Sequence, residues 1–103
     1  GDSRTIHIYK VNSPPQQAIS ILAKRIFEHG KEQLNVRLLT IRRYRGKNKL
    51  VTLVSTKRLQ SITESDLSEL LRNFFTRSAH LILKQTSNDG TIHQLLRERH
   101  SIL

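Results

Sequence analysis

The chain has 103 residues, 18 of them Lys or Arg against 8 Asp or Glu, giving a formal net charge of +10 and a pI near 11.0. That length predicts one domain with room for one core. The absence of cysteine excludes disulfides, thiolate chemistry and cysteine-based zinc sites.

No apolar run approaches the ~20 residues of a membrane span, and no signal-peptide pattern opens the chain. The expectation is an intracellular domain. There is also no methionine. That predicts a domain excised from a larger protein, or one whose initiator was removed. Residues 1–4 then read as a flexible N-terminus or cloning remnant, and residues 5–103 as a single α+β domain.

Thr5 to Val11 alternates and is rich in β-branched and aromatic residues, which predicts a strand. Its pattern places Ile6 and Ile8 towards the core and His7, Tyr9 and Val11 away from it. Ser13 then suits an N-cap and Pro14 the first helical position, with Gln16 completing a capping box. Ala18, Ile19, Leu22, Ile26 and Phe27 recur with helical spacing, and Gly30 stands where a C-terminal cap belongs. The first helix is predicted over Pro14 to His29.

Leu34 to Tyr44 and Lys49 to Thr56 are β-rich runs around Arg45-Gly46-Lys47-Asn48, a turn composition, and predict a hairpin. Leu38, Leu39 and Ile41 fall on both faces of the first run, so its register is open. Thr63-Glu64-Ser65-Asp66 opens a second helix. There Leu67, Leu70, Leu71, Phe74 and Phe75 keep the i, i+3, i+4, i+7, i+8 spacing. Ala79 to Gln85 predicts a strand, Ser87 to Gly90 a turn, and Thr91 to His100 a short terminal helix.

The order β-α-β-β-α-β is that of the ferredoxin-like split βαβ motif. It predicts an α+β sandwich: a four-stranded antiparallel sheet, two helices on one face, and a short C-terminal helix. The alternative is an Alba-like βαβαββ order with Lys49 to Gln60 helical. Val51, Thr52, Val54, Ser55 and Thr56 favour the strand.

Between Glu32 and Glu64 there is no carboxylate, yet the interval holds Arg37, Arg42, Arg43, Arg45, Lys47, Lys49, Lys57 and Arg58. These eight nearly account for the net charge, since the other ten cations face all 8 acids. Surface arginines are ordinarily interspersed with acids. Guanidinium groups grip phosphate bidentately and lysine acts as a point charge, while Tyr44 stands among them as a stacking candidate. The expectation is a nucleic-acid-binding domain, for DNA or RNA, using a basic hairpin over about 37–58. The alternative is a protein-interaction or homodimerisation module with a basic face.

Ile6-His7-Ile8-Tyr9 resembles the first-strand motif of RNA-recognition modules. That resemblance makes His7 and Tyr9 base-stacking candidates on an open sheet face. Histidine takes an aromatic's place there, and Lys49 to Val54, expected as the other central strand, has no aromatic. The family is not assigned.

Nothing marks an enzyme. His7, His29, His80, His93 and His100 never pair at the i, i+4 spacing of helical metal ligands. Glu64, Asp66 and Glu69 are explained by a helix start. No phosphate loop or nucleophile motif occurs. No cofactor, metal or small-molecule substrate is expected, and the basic residues lie on strands rather than on a membrane-binding amphipathic helix.

Overall fold

The computed structural model describes residues 5–33 and 36–87. The strands are β1 (Thr5–Asn12), β2 (Val36–Tyr44), β3 (Lys47–Val54) and β4 (His80–Ser87). The helices are α1 (Gln16–Gln33), α2 (Thr56–Ser61) and α3 (Glu64–Phe75). The expected terminal helix, 91–100, lies outside the described residues.

The four strands form one antiparallel sheet in the order β1-β4-β2-β3. β1 and β3, expected at the centre, are therefore the edges. Both crossovers are still split by one strand. β1 and β2 run parallel with β4 between them, and β3 and β4 run parallel with β2 between them. The class is α+β, but the strand filling the first gap is β4. Lys49 to Val54 is strand, so the βαβαββ alternative is not formed.

One face of the sheet meets all three helices. Val11, Val36, Leu38, Val54, Leu81 and Leu83 join Ile19, Leu22, Ala23 and Ile26 of α1, Leu59 of α2, and Leu67, Leu71, Phe74 and Phe75 of α3 in a single core. The α3 periodicity is used as the sequence predicts, and Thr63 caps that helix by accepting the Asp66 N–H at 3.1 Å. The orientation of β1 is the reverse of the expectation. Val11 is 1% exposed and Tyr9 packs against the core, while Ile6 and Ile8 are exposed.

Two other local expectations are corrected. Ser13 does not cap α1; its N–H donates to the Ala79 carbonyl at 2.8 Å, prolonging the β1–β4 ladder, and the helix starts at Gln16. Gly30 does not end α1 either, because the helix runs on to Gln33. Its missing Cβ has a packing reason: a Cβ there would meet the buried Leu59 side chain, with Leu59 Cγ only 3.1 Å away. α2 was not anticipated, being too short to show a period. Ser55 caps it by accepting the Arg58 N–H at 3.2 Å, and the Thr56 hydroxyl donates to the Val36 carbonyl at 2.8 Å.

The Gly30–Leu59 contact is testable by a double-mutant cycle. Alanine suits a helix better than glycine by about 1 kcal/mol, but overpacking costs about 1–3 kcal/mol. Gly30→Ala should therefore destabilise the native protein in urea melts. Combined with Leu59→Ala, itself costing about 2–5 kcal/mol, the same change should become neutral or stabilising. Equal effects in both backgrounds would mean the contact is absent.

Candidate nucleic-acid interface

β2 pairs with β4 only from Val36 to Leu39, whereas its pairing with β3 continues to Tyr44↔Lys47. Beyond Leu39 the hairpin leaves the sheet as a free two-stranded ribbon. Thr40 to Tyr44 reaches roughly 17 Å at the usual rise per residue. Ten consecutive residues, 41–50, are exposed.

The departure point is marked by an irregularity. Leu38 pairs with Val54 and Leu39 with Thr52, so Leu53 is the extra residue of a bulge. Such a bulge bends its strand and sharpens the local twist, which aims the ribbon away from the sheet plane. It also explains the ambiguous pattern of β2. Leu38 is in the core, Leu39 pairs with Ile82 on the opposite face, and Ile41 faces Leu50 beyond the last β4 partner.

The turn is tighter than the four residues expected. Arg45 and Gly46 alone connect the strands, with φ of 51° and 76°. Positive φ at both positions is the signature of a type I′ hairpin, whose twist matches the strands. Gly46 adopts this freely. At Arg45, where asparagine is usual, it costs about 1 kcal/mol. The Arg45 guanidinium lies 5.3 Å from the centroid of the Tyr44 ring.

Register sorts the ribbon side chains into two faces. Arg42 lies opposite Lys49 and Tyr44 opposite Lys47, on the side that continues the helix-covered face. Ile41 opposite Leu50, and Arg43 opposite Asn48, lie on the other. Cross-strand partners have Cβ atoms ~5 Å apart, and like charges there are destabilising. The Arg42–Lys49 pair is thus held against its own repulsion. Arg37 and Lys84 form a second such pair at the base of the sheet.

The structure brings together only part of the predicted basic segment. Arg42, Arg43, Tyr44, Arg45, Lys47 and Lys49 share the ribbon. Lys57 and Arg58 sit on α2, at the end of β3 remote from the turn, about 23 Å away at strand rise. Arg37 is on the open sheet face beside Lys84, a cation that sequence proximity could not have associated with it. His7 lies on β1 opposite Gln85 in the ladder. Tyr9 is turned towards the helices and packs against the core, so its ring is not on the open face. The inverted orientation of β1 thus moves Tyr9 off the face on which it was expected.

Among the described residues, no three His, Asp or Glu side chains are placed to share a metal, and no helix is long and apolar enough to cross a membrane. No protein-family model, curated protein or solved structure matches the chain.

Burial raises the Tyr9 phenol above its ordinary value of 10.0. The raised value favours the neutral phenol in the folded state. Tyr9 thus contributes stability that is complete below pH ~10 and is lost as pH rises through its folded value. In the Tyr44→Phe variant Tyr9 is the remaining tyrosine, since the chain has 2. Its phenolate absorbance should rise with a midpoint above 10. A midpoint at or below 10 would place Tyr9 in open solvent.

Proposed function

We propose that the β2–β3 ribbon is a non-enzymatic nucleic-acid-binding element, and that its target is duplex DNA. The observation carrying this reading is the direct opposition of Arg42 and Lys49, with Lys47 next on the same face and no acid on the ribbon. A hairpin kept charged only for solubility would gain stability from a carboxylate at either position. An anionic ligand reverses the repulsion between the two cations, so a cost to the free protein becomes affinity in the complex. Arg45 supports the same reading, because a cation holds the tip at a φ that asparagine would adopt more easily.

The shape favours a groove over a single strand. A two-stranded ribbon fits the major groove of B-form DNA, about 12 Å wide. The major groove of duplex RNA is too narrow and deep for side chains to read. Single-strand binders stack bases on exposed aromatics. Here Tyr9 faces the core, which leaves Tyr44, 63% exposed with Arg45 over one side of its ring, as the one aromatic on the ribbon.

Replacing Arg42, Arg43, Arg45 and Lys47 by glutamine should weaken binding to a fluorescent duplex and flatten its log–log salt dependence by up to roughly 3.6, at about 0.9 per lost phosphate contact. Unchanged affinity and slope near ~0.1 M salt would rule the ribbon out. Glutamine at Lys57 and Arg58 should have a much smaller effect.

Lys49→Glu separates binding from folding. Opposite Arg42, the new carboxylate should stabilise the protein by about 0.2–1 kcal/mol in urea melts while duplex affinity falls. A simultaneous loss of both would mean that Lys49 is a structural residue.

A further inference from the structure

The sheet face away from the helices carries a second surface. Register places Ile8, Lys84 and Arg37 in one row, then Lys10, Ile82, Leu39 and Thr52 in the next, with Ile41 and Leu50 beyond. The apolar members do not fill the rows; they run diagonally. The stripe begins at Ile6 and Ile8 on the edge strand, passes through Ile82 and Leu39, and ends at Ile41 and Leu50 on the ribbon. Ile82 and Leu39 are buried at the centre, but the ends are open, with Ile6 at 56%, Ile8 at 60%, Ile41 at 44% and Leu50 at 51% exposure.

Cations flank the stripe on both sides. Arg37 and Lys84 lie on one side of the diagonal, and Lys10 and Arg43 on the other. None of the described positions on this face is acidic, and its one aromatic ring is His80, opposite Asn12. Exposed apolar pairs at both ends of one diagonal, Ile6 with Ile8 and Ile41 with Leu50 about the buried Ile82 and Leu39, mark an interaction surface rather than scattered exposure.

We propose that this face docks an amphipathic helix of a partner protein, with an apolar stripe and acidic residues along both flanks. The length agrees. Three strand spacings and three two-residue steps give a diagonal of roughly 25 Å, the span of a helix of about 16 residues. The charge complementarity is two-sided, which excludes the simpler occupants. A second copy applied face to face would bring the same four cations together without a carboxylate. A nucleic acid would find phosphate-binding groups only at the margins and a single imidazole, His80, to stack on. The surface is also back to back with the Arg42–Lys49 face of the ribbon, so Arg43 is the one side chain it shares with the proposed duplex contact.

The test uses the full chain and a fluorescent helical peptide of 18 residues, leucine at the i, i+3, i+4, i+7 positions and glutamate on both flanks. Anisotropy should report micromolar binding that is weakened by salt, with the same peptide carrying lysine flanks failing to bind. Ile6→Ser with Ile8→Ser, at exposed positions, should weaken the peptide by roughly tenfold or more while leaving duplex affinity and the circular dichroism spectrum unchanged. Arg37→Glu with Lys84→Glu should shift preference towards the lysine peptide.

Equal binding of the two peptides, or no binding of either, overturns the proposal. A stable dimer in sedimentation that dissociates on the Ile6 and Ile8 substitutions overturns it in favour of a second copy. Peptide binding that appears only after Leu95→Ser with Leu96→Ser overturns it in favour of the chain's own C-terminal segment. Failure of the duplex experiment leaves this surface unaffected, because no residue of the Ile6–Ile8 end contributes to the ribbon.

Discussion

The sheet closes through β4. This strand, the last of the described elements, inserts between the first and second strands and pairs with both. Its Leu81, Ile82 and Leu83 are at most 9% exposed, so successive side chains are buried on opposite faces. A strand buried on both sides carries more apolar stabilisation per residue than an edge, and it fixes the register of its neighbours. It also joins residues about seventy positions apart, a loop closure whose entropy must be overcome before the contacts form. Both proposed surfaces follow from how β4 divides the sheet.

The brevity of the β4–β2 pairing releases the ribbon. Four residues of β2 are tied to β4 and the next five are not, and the Leu53 bulge lies at that junction. The core anchors the base of the hairpin through Val36, Leu38 and Val54, and the tip has no apolar partner of its own. The tip therefore tolerates choices that a packed strand does not, namely a like-charged cross-strand pair and a non-glycine residue at positive φ. Each departs from local stability in the same direction, towards more positive charge at the most exposed point. Local rules broken consistently at one place are the mark of a site shaped for something other than folding.

The two faces of the hairpin separate two kinds of chemistry by the simplest available device, the two-residue period of a strand. Arg42 and Lys49 share one side of the ribbon, and Ile41 and Leu50 share the other. A phosphate backbone and an apolar helix could therefore be held at once with Arg43 the one side chain in common. Mutations at adjacent sequence positions should then separate the two activities cleanly.

The sequence alone determined the elements whose signal is local: α3 from its unbroken apolar period, the hairpin from glycine between two β-branched runs, and the acid-free basic interval from a count of charges. It could not determine what depends on partners distant in the chain. The face of β1 was inverted because Ile6, Ile8, Tyr9 and Val11 are all apolar enough for a core, and only the helices behind the sheet decide which pair is buried. Gly30 read as a helix stop because its true reason, the approach of Leu59, lies 29 residues on. The mixed pattern of β2 became intelligible only with Ile82 beside Leu39. The strand order depended on which strand filled the gap between β1 and β2. Local periodicity is silent on that choice, because a strand buried on both faces shows no alternation to read.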